Sequence, residues 1–122
     1  MRKRQRRRYI AFNLLSEGEI TKSMLIRSIA NEIIRIYGEY GASKARFWLS
    51  YYEEKSKRGI IQCSHKTVDL VRVPLATMTE IEKIPVLVHV LGISGTIKTA
   101  KDKYLGDTKS TSESTLSDDD QE

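Results

Sequence analysis

The residues with the clearest chemistry lie in the stretch 92–99, GISGTIKT. Its Lys-Thr ending is similar to a P-loop, which binds nucleotide phosphates. A P-loop requires glycine directly before the lysine, whereas Ile97 precedes Lys98 here, and only two residues separate Gly92 from Gly95. The GxxG spacing also matches a KH loop, but that loop joins two helices, and here an apolar strand precedes it. Both nucleotide motifs are therefore disfavoured.

The same stretch fits a simpler anion site at the start of a helix. The free N–H groups of a helix N-terminus carry partial positive charge and attract phosphate. Hydroxyl and lysine side chains would complete the site: Ser94, Thr96, Lys98, Lys101 and Lys103. The alternative is that Ser94 only caps the helix and Gly95 only permits a turn. The residues alone leave both interpretations open.

Charge is distributed unevenly along the chain, which has 122 residues and a net charge of +5. Residues 1–8 contain six basic residues and no acidic ones, whereas residues 107–122 contain six acidic residues and one lysine. We expect the basic arm to be mobile and the acidic tail to be disordered. A basic arm favours a polyanionic partner, because its contacts release counterions from phosphates. The arm adds four candidate RNA contacts: Arg4, Arg6, Arg7 and Arg8.

The remaining reactive side chains form no catalytic or metal-binding pattern. Cys63 is the only cysteine, so no intrachain disulfide can form, and a cysteine-based metal site would need other ligands. We expect His89 to be buried in a strand. His65 lies at a strand end beside Lys66, where both side chains are candidate phosphate contacts. We predict no catalytic residue in this chain and no cofactor bound by the protein itself.

Hydrophobic patterning predicts the elements that would position these residues. Alternation indicates strands at residues 9–15, 46–53, 59–64 and 86–91. Helical spacing indicates helices at residues 21–37, 65–78 and 95–105. Pro74 lies inside the second of these, which predicts a helix that is split there or that begins near Val73. This order predicts an α+β, ferredoxin-like or RRM-like sandwich in one domain, residues 9–106. Its four-stranded antiparallel sheet would have helices on one face plus a C-terminal helix.

The second predicted strand carries four aromatic rings. Strand alternation places Phe47, Leu49 and Tyr51 on one face. It places Trp48 and Tyr52 on the other. RNA-recognition domains stack bases on rings of their first and third strands, and the third strand here has no aromatic residue. Packing is therefore the favoured role, and outward rings predict cover by a partner or by the terminal helix.

Three segments together resemble the ribonuclease P protein component 2 family. They are RRRYIAFNLL at residues 6–15, GIIQCSHKTVDLV at 59–71 and VLVHVLGISGTIKTAKDKYL at 86–105. The resemblance covers about residues 6–106. It implies a protein subunit of ribonuclease P, the ribonucleoprotein endonuclease that removes the 5′ leader from precursor tRNA.

The resemblance also implies partners. Catalysis would come from the ribonuclease P RNA with Mg²⁺, and the protein would bind and support that RNA. The family is expected to assemble with the TIM-barrel-like component 3 subunit as a heterotetramer with two copies of each. A cytoplasmic, membrane-free location is expected, since no apolar run approaches the ~20 residues of a membrane span. From the residues alone, two alternatives stay open: a ferredoxin-like regulatory domain that binds a small anionic ligand, and a protein-interaction module.

Overall fold

The computed structural model describes residues 6–105, which contain five strands and three helices. The strands are β1 (Arg7–Ser16), β2 (Phe47–Glu53), β3 (Arg58–Ser64), β4 (Glu80–Ile81) and β5 (Ile84–Ser94). The helices are α1 (Lys22–Lys44), α2 (Val68–Thr77) and α3 (Ile97–Tyr104), and a 3-10 turn, His65–Thr67, precedes α2. Most of the predicted arm, including Arg4, and the whole acidic tail lie outside the described residues.

The strands form one antiparallel sheet in the order β2-β3-β1-β5-β4. The first four strands in this order have the ferredoxin-like arrangement that was predicted, with β3 and β1 in the centre. The prediction of only four strands was wrong, because β4 pairs with the start of β5 inside a segment predicted as a loop. The connecting residues Glu82 and Lys83 both have positive φ, 50° and 74°, as in a tight hairpin turn. Neither is the Asn or Gly that usually signals such a turn in a sequence.

β1 is buried on both faces through its middle. Ile10 and Phe12 pack with residues of α1 and α2 in the main core. Ala11, which alternates to the opposite face, is buried together with Ala100 of α3. The sheet therefore carries α1 and α2 on one face and α3 on the other. β1 begins at Arg7, so part of the predicted mobile arm belongs to the sheet.

The first two helices differ from their predicted boundaries in detail. Thr21 caps α1, as predicted, by accepting a hydrogen bond from the Met24 backbone N–H at 3.3 Å. Gly38 interrupts α1 with φ +77°, but a further helical stretch, rather than the predicted loop, follows to Lys44. Pro74 lies buried inside a continuous α2. The expected split or late start at that proline was wrong.

A bulge in β2 decides which aromatic rings face the core. The register between β2 and β3 shifts between Leu49 and Tyr51, so Ser50 is an extra residue. Tyr52 is consequently turned inward, where its ring stacks on Phe12 at 6.3 Å between centroids. Tyr51 packs instead in the cluster beneath α3. The predicted outward Tyr52 was wrong, because one inserted residue reverses every later side chain in the strand.

The close contact at Gly59 generates a stability prediction. A Cβ at Gly59 would lie 2.6 Å from the Tyr51 carbonyl oxygen and 2.7 Å from Phe12 Cζ. Gly59→Ala should therefore lower the free energy of unfolding by about 1–3 kcal/mol, as overpacking does in a closed core. Urea denaturation measures the change.

Gly95→Ala is the matched control. A Cβ there meets nothing nearer than Arg8 Nη1 at 3.7 Å, and the residue has no positive φ. We expect its unfolding free energy to change by less than about 0.5 kcal/mol. Equal losses in the two variants would contradict the packing at Gly59.

Candidate nucleic-acid interface

The start of β1 and the ends of β3 and β5 meet at one end of the sheet. The antiparallel register places Arg7 opposite Ser64, and Tyr9 opposite Ser94. The His65 backbone N–H donates to the Arg6 carbonyl at 2.8 Å. Three segments that are distant in sequence therefore deliver their predicted phosphate contacts to the same place.

Two further cations that the sequence analysis missed join this end. β2 begins with Phe47 opposite Cys63, so Arg46 lies beside the end of β3. Lys44 ends α1 immediately before it. Neither residue belongs to a motif, and only the strand register identifies them. We call this surface the basic end; its described basic residues are Arg6, Arg7, Arg8, Lys44, Arg46, His65, Lys66 and Lys98.

The basic end is weakly neutralised within the described residues. Among residues 6–105, the ion pair that involves this surface joins Lys98 Nζ and Asp102 at 4.0 Å, and both side chains are exposed. An exposed pair of this length contributes little, ~0–1 kcal/mol. Clustered cations of this kind raise the local concentration of phosphate groups.

The hydroxyls at the start of α3 serve the helix itself. Thr96 Oγ1 accepts a hydrogen bond from the Thr99 backbone N–H at 3.1 Å and so caps α3. The buried Ser94 hydroxyl accepts from the Thr96 N–H at 3.3 Å and donates to the Thr96 carbonyl at 3.1 Å. The cap of α3 is therefore Thr96 and not Ser94, which instead stabilises the turn before the helix. Phosphate contacts from Ser94 and Thr96 stay a prediction.

The three lysines of α3 do not share one face: Lys98 and Lys101 lie one turn apart on one flank, and Lys103 lies on another. Lys101 Nζ lies 4.8 Å from the centre of the Tyr51 ring, so this side chain reaches toward β2. Lys103 Nζ lies 5.8 Å from the Tyr104 ring, in the last turn of the helix. Lys98 is in the first turn, at the basic end. The structure therefore gathers Lys98 with the arginines but places Lys103 about 9 Å further along the helix axis than Ile97.

The two histidines are both exposed. The prediction that His89 is buried was wrong. Val86, Val88 and Val90 of β5 face the core, so His89 alternates to the opposite face, across from Asn13. His65 lies in the 3-10 turn beside Lys66, at the basic end.

A polar cleft lies on the other side of the molecule, between α1 and the end of α2. Its volume is about 360 Å³. Glu32, Glu80 and Glu82 are among its lining residues. The Arg35 guanidinium donates to Glu32 and, with a hydrogen bond from Thr77, lowers the pKa of that carboxyl against the opposing effect of burial. A cleft with three carboxylates does not suit a small anionic ligand.

Within residues 6–105, no group of three His, Cys, Asp or Glu side chains is placed to hold a metal ion. The helices of this described part include none that is long and apolar enough to span a membrane.

The fold and the basic end define a class: a small α+β domain with a cluster of basic residues at one end of its sheet. The sequence model of the Rpp14/Pop5 family matches residues 8–105. The ribonuclease P protein component 2 of Methanocaldococcus jannaschii is 39% identical over 103 residues, which cover 84% of this chain and 75% of that protein. That of Pyrococcus furiosus is 38% identical over 102 residues, covering 84% and 85%.

The chain belongs to the Rpp14/Pop5 family, and the resemblance seen in its three sequence segments is confirmed. A chain in the cryo-EM structure of yeast ribonuclease MRP is also similar, with a TM-score of 0.63 and 16% identity over 79% of each chain. At that identity, the likeness supports the fold alone.

The buried thiol of Cys63, opposite Arg8 in the sheet, generates a pH prediction. Burial raises the pKa of Cys63 from 9.0 to about 11, and the Arg8 charge only partly opposes this. Iodoacetamide at pH 8 should therefore modify the folded chain far more slowly than the urea-unfolded chain, measured by mass spectrometry. Since the folded-state pKa is the higher one, the stabilisation from the neutral thiol is complete below pH 9.0 and is lost as pH rises toward about 11. Equal alkylation rates would contradict this burial.

Proposed function

We propose that the chain is the small protein subunit of ribonuclease P and that its basic end contacts backbone phosphates of the ribonuclease P RNA. The observation that carries this proposal is the antiparallel register, which brings Arg7, Arg46 and His65 to one end of the sheet. Family membership supports the same assignment, because the named relatives are ribonuclease P protein component 2.

The protein supports a catalyst that is itself RNA. The ribonuclease P RNA with Mg²⁺ removes the 5′ leader from precursor tRNA in the cytoplasm. The protein neutralises RNA phosphates and so stabilises the folded RNA, without supplying a catalytic residue. The cationic side chains are suited to that role because they bind backbone rather than base edges.

The proposed assembly also contains the TIM-barrel-like component 3 subunit, in a heterotetramer with two copies of each. Ile26 and Ile34 on α1 and Val73 on α2 are large apolar side chains that remain exposed. Exposed apolar residues on the helical layer support a protein-binding surface separate from the basic end.

Reconstitution tests the proposed function directly. The full chain is added, with its partner proteins, to ribonuclease P RNA, and cleavage of a precursor tRNA leader is measured with and without it. We expect the chain to increase the cleavage rate at limiting Mg²⁺, because added cations reduce repulsion between RNA phosphates. A rate that does not depend on the chain would contradict the proposal.

Charge removal at α3 tests the phosphate contacts. The double variant Lys98→Ala, Lys101→Ala should weaken binding to ribonuclease P RNA and reduce the log–log salt slope by about 1 for each lysine. Filter binding at several salt concentrations gives both quantities.

The matched control removes the same charge from the opposite end of the sheet. Lys22 and Lys55 are both exposed there, and the Lys22 backbone N–H lies 3.3 Å from Glu54 next to Lys55. The variant Lys22→Ala, Lys55→Ala should keep the wild-type slope. If both double variants reduce the salt slope by the same amount, the position of the charge does not matter. The assignment of phosphate contacts to α3 is then wrong.

A further inference from the structure

Trp48 is an indole left exposed on the sheet. Its exposed fraction is 68%, and it is the only tryptophan in the chain. Ala45 and Leu49 are buried in the main core and Phe47 packs against it, so Trp48 projects from the opposite face, where α3 lies. The register sets Trp48 beside Gln62 of β3, and Gln62 beside Tyr9 of β1. A row of planar or amide side chains therefore crosses three strands at the margin of this face.

Cations flank this row on the side of the basic end. Arg46 and Arg7 each precede a member of the row by two residues, so alternation places them on the same face, about 7 Å along their strands. Both side chains are exposed. Neither has an acidic partner within ion-pair distance among residues 6–105. An aromatic ring with two exposed cations about 7 Å away suits a base and its neighbouring phosphates. A protein-docking patch would instead be mainly apolar.

α3 supplies a wall along the row. Ala11 and Ile60, at the middle of the face, are fully buried beneath the helix, so a strip on its β2 side remains open, separate from the exposed part of the same face around Leu15, Leu87 and His89. From α3, Lys101 extends toward β2, where its Nζ lies 4.8 Å from the centre of the Tyr51 ring. Lys98 lies one turn earlier on the same flank of the helix. A base can stack on the Trp48 ring only when it is not already stacked within a duplex, so the strip suits a single strand.

We propose that Trp48 stacks on one unpaired base of an RNA strand whose adjoining phosphates lie on Arg46 and Arg7. The inference rests on the proposed function, since it assigns a base-binding position to the same RNA-binding subunit. Stacking on an aromatic ring tolerates any base, because every base has a π-face. Gln62 can then meet the base edge: its side-chain oxygen is engaged only by a long hydrogen bond from Ser50, at 3.5 Å. The phosphate contacts of the basic end alone would hold the RNA backbone; this position would hold a base in a loop or bulge.

The fluorescence of the sole tryptophan reads out the contact directly. The full chain is titrated with a twelve-nucleotide single-stranded RNA, with a duplex of the same length and with inorganic tripolyphosphate. We expect the single strand to quench the indole emission, whereas duplex and tripolyphosphate bind the basic end without quenching. Quenching of equal depth by tripolyphosphate would overturn the stacking contact.

Substitutions separate stacking from charge. Trp48→Ala should weaken binding of the labelled single strand by about 5- to 150-fold with an unchanged salt slope, whereas Trp48→Phe should restore most of the affinity. Leu87→Ala is the matched control, because Leu87 is a 59% exposed apolar residue of β5 away from the basic end. It should bind the RNA like the wild type. Circular dichroism verifies that each variant is folded.

The outcomes distinguish the two proposals. If the wild-type chain binds ribonuclease P RNA and Trp48→Ala binds every RNA with the wild-type affinity, the stacking inference is overturned and the proposed function stands. If Trp48→Ala retains RNA affinity and instead loses assembly with the partner proteins, the strip is a protein interface, and the inference is again overturned. If the wild-type chain binds no RNA, both proposals fail.

Discussion

The antiparallel pairing of β1 with β3 on one side and β5 on the other is the constraint on which the rest of the structure depends. β1 is excluded from water on both faces, because Phe12 lies beneath the first two helices and Ala11 beneath α3. The same pairing makes the first residues of β1 meet the last residues of its two neighbours. Like charges from distant parts of the chain are therefore held a few strand spacings apart. Their mutual repulsion disfavours the free protein and is relieved when a polyanion binds.

α3 covers the part of the sheet that RNA-recognition domains leave open to bases. Domains that bind RNA on an open sheet use the middle of the first and third strands. Here Ala11 and Ile60 occupy those positions, and α3 buries both completely. The shared topology thus gives no base-binding surface by itself, since function depends on the site rather than on the fold. The basic end and the strip beside β2 are sheet surfaces that α3 leaves uncovered.

Long periodic segments were predictable, whereas single-residue irregularities were not. Leu25, Ile29 and Ile33 repeat at helical spacing and lie in the core as expected. The bulge at Ser50 adds one residue without disturbing the composition of the strand, so alternation assigned the following rings to the wrong faces. At the basic end, the arginines of the arm and Lys98 were identified from charge and motif. Arg46 could not be, because its membership depends on which strand ends meet.

The glycine at position 92 has a consequence for motion. A Cβ there would collide with the ring of Tyr104, so α3 packs directly on bare backbone of β5. A helix of eight residues, with Ala100 as its one fully buried side chain, is not stable in water on its own, so its undocking and its unfolding are one event. α3 is thus a cooperative unit that opens at a lower free energy than the core. Undocking of α3 would uncover the second sheet face, and a ligand that prefers the uncovered face would shift that equilibrium.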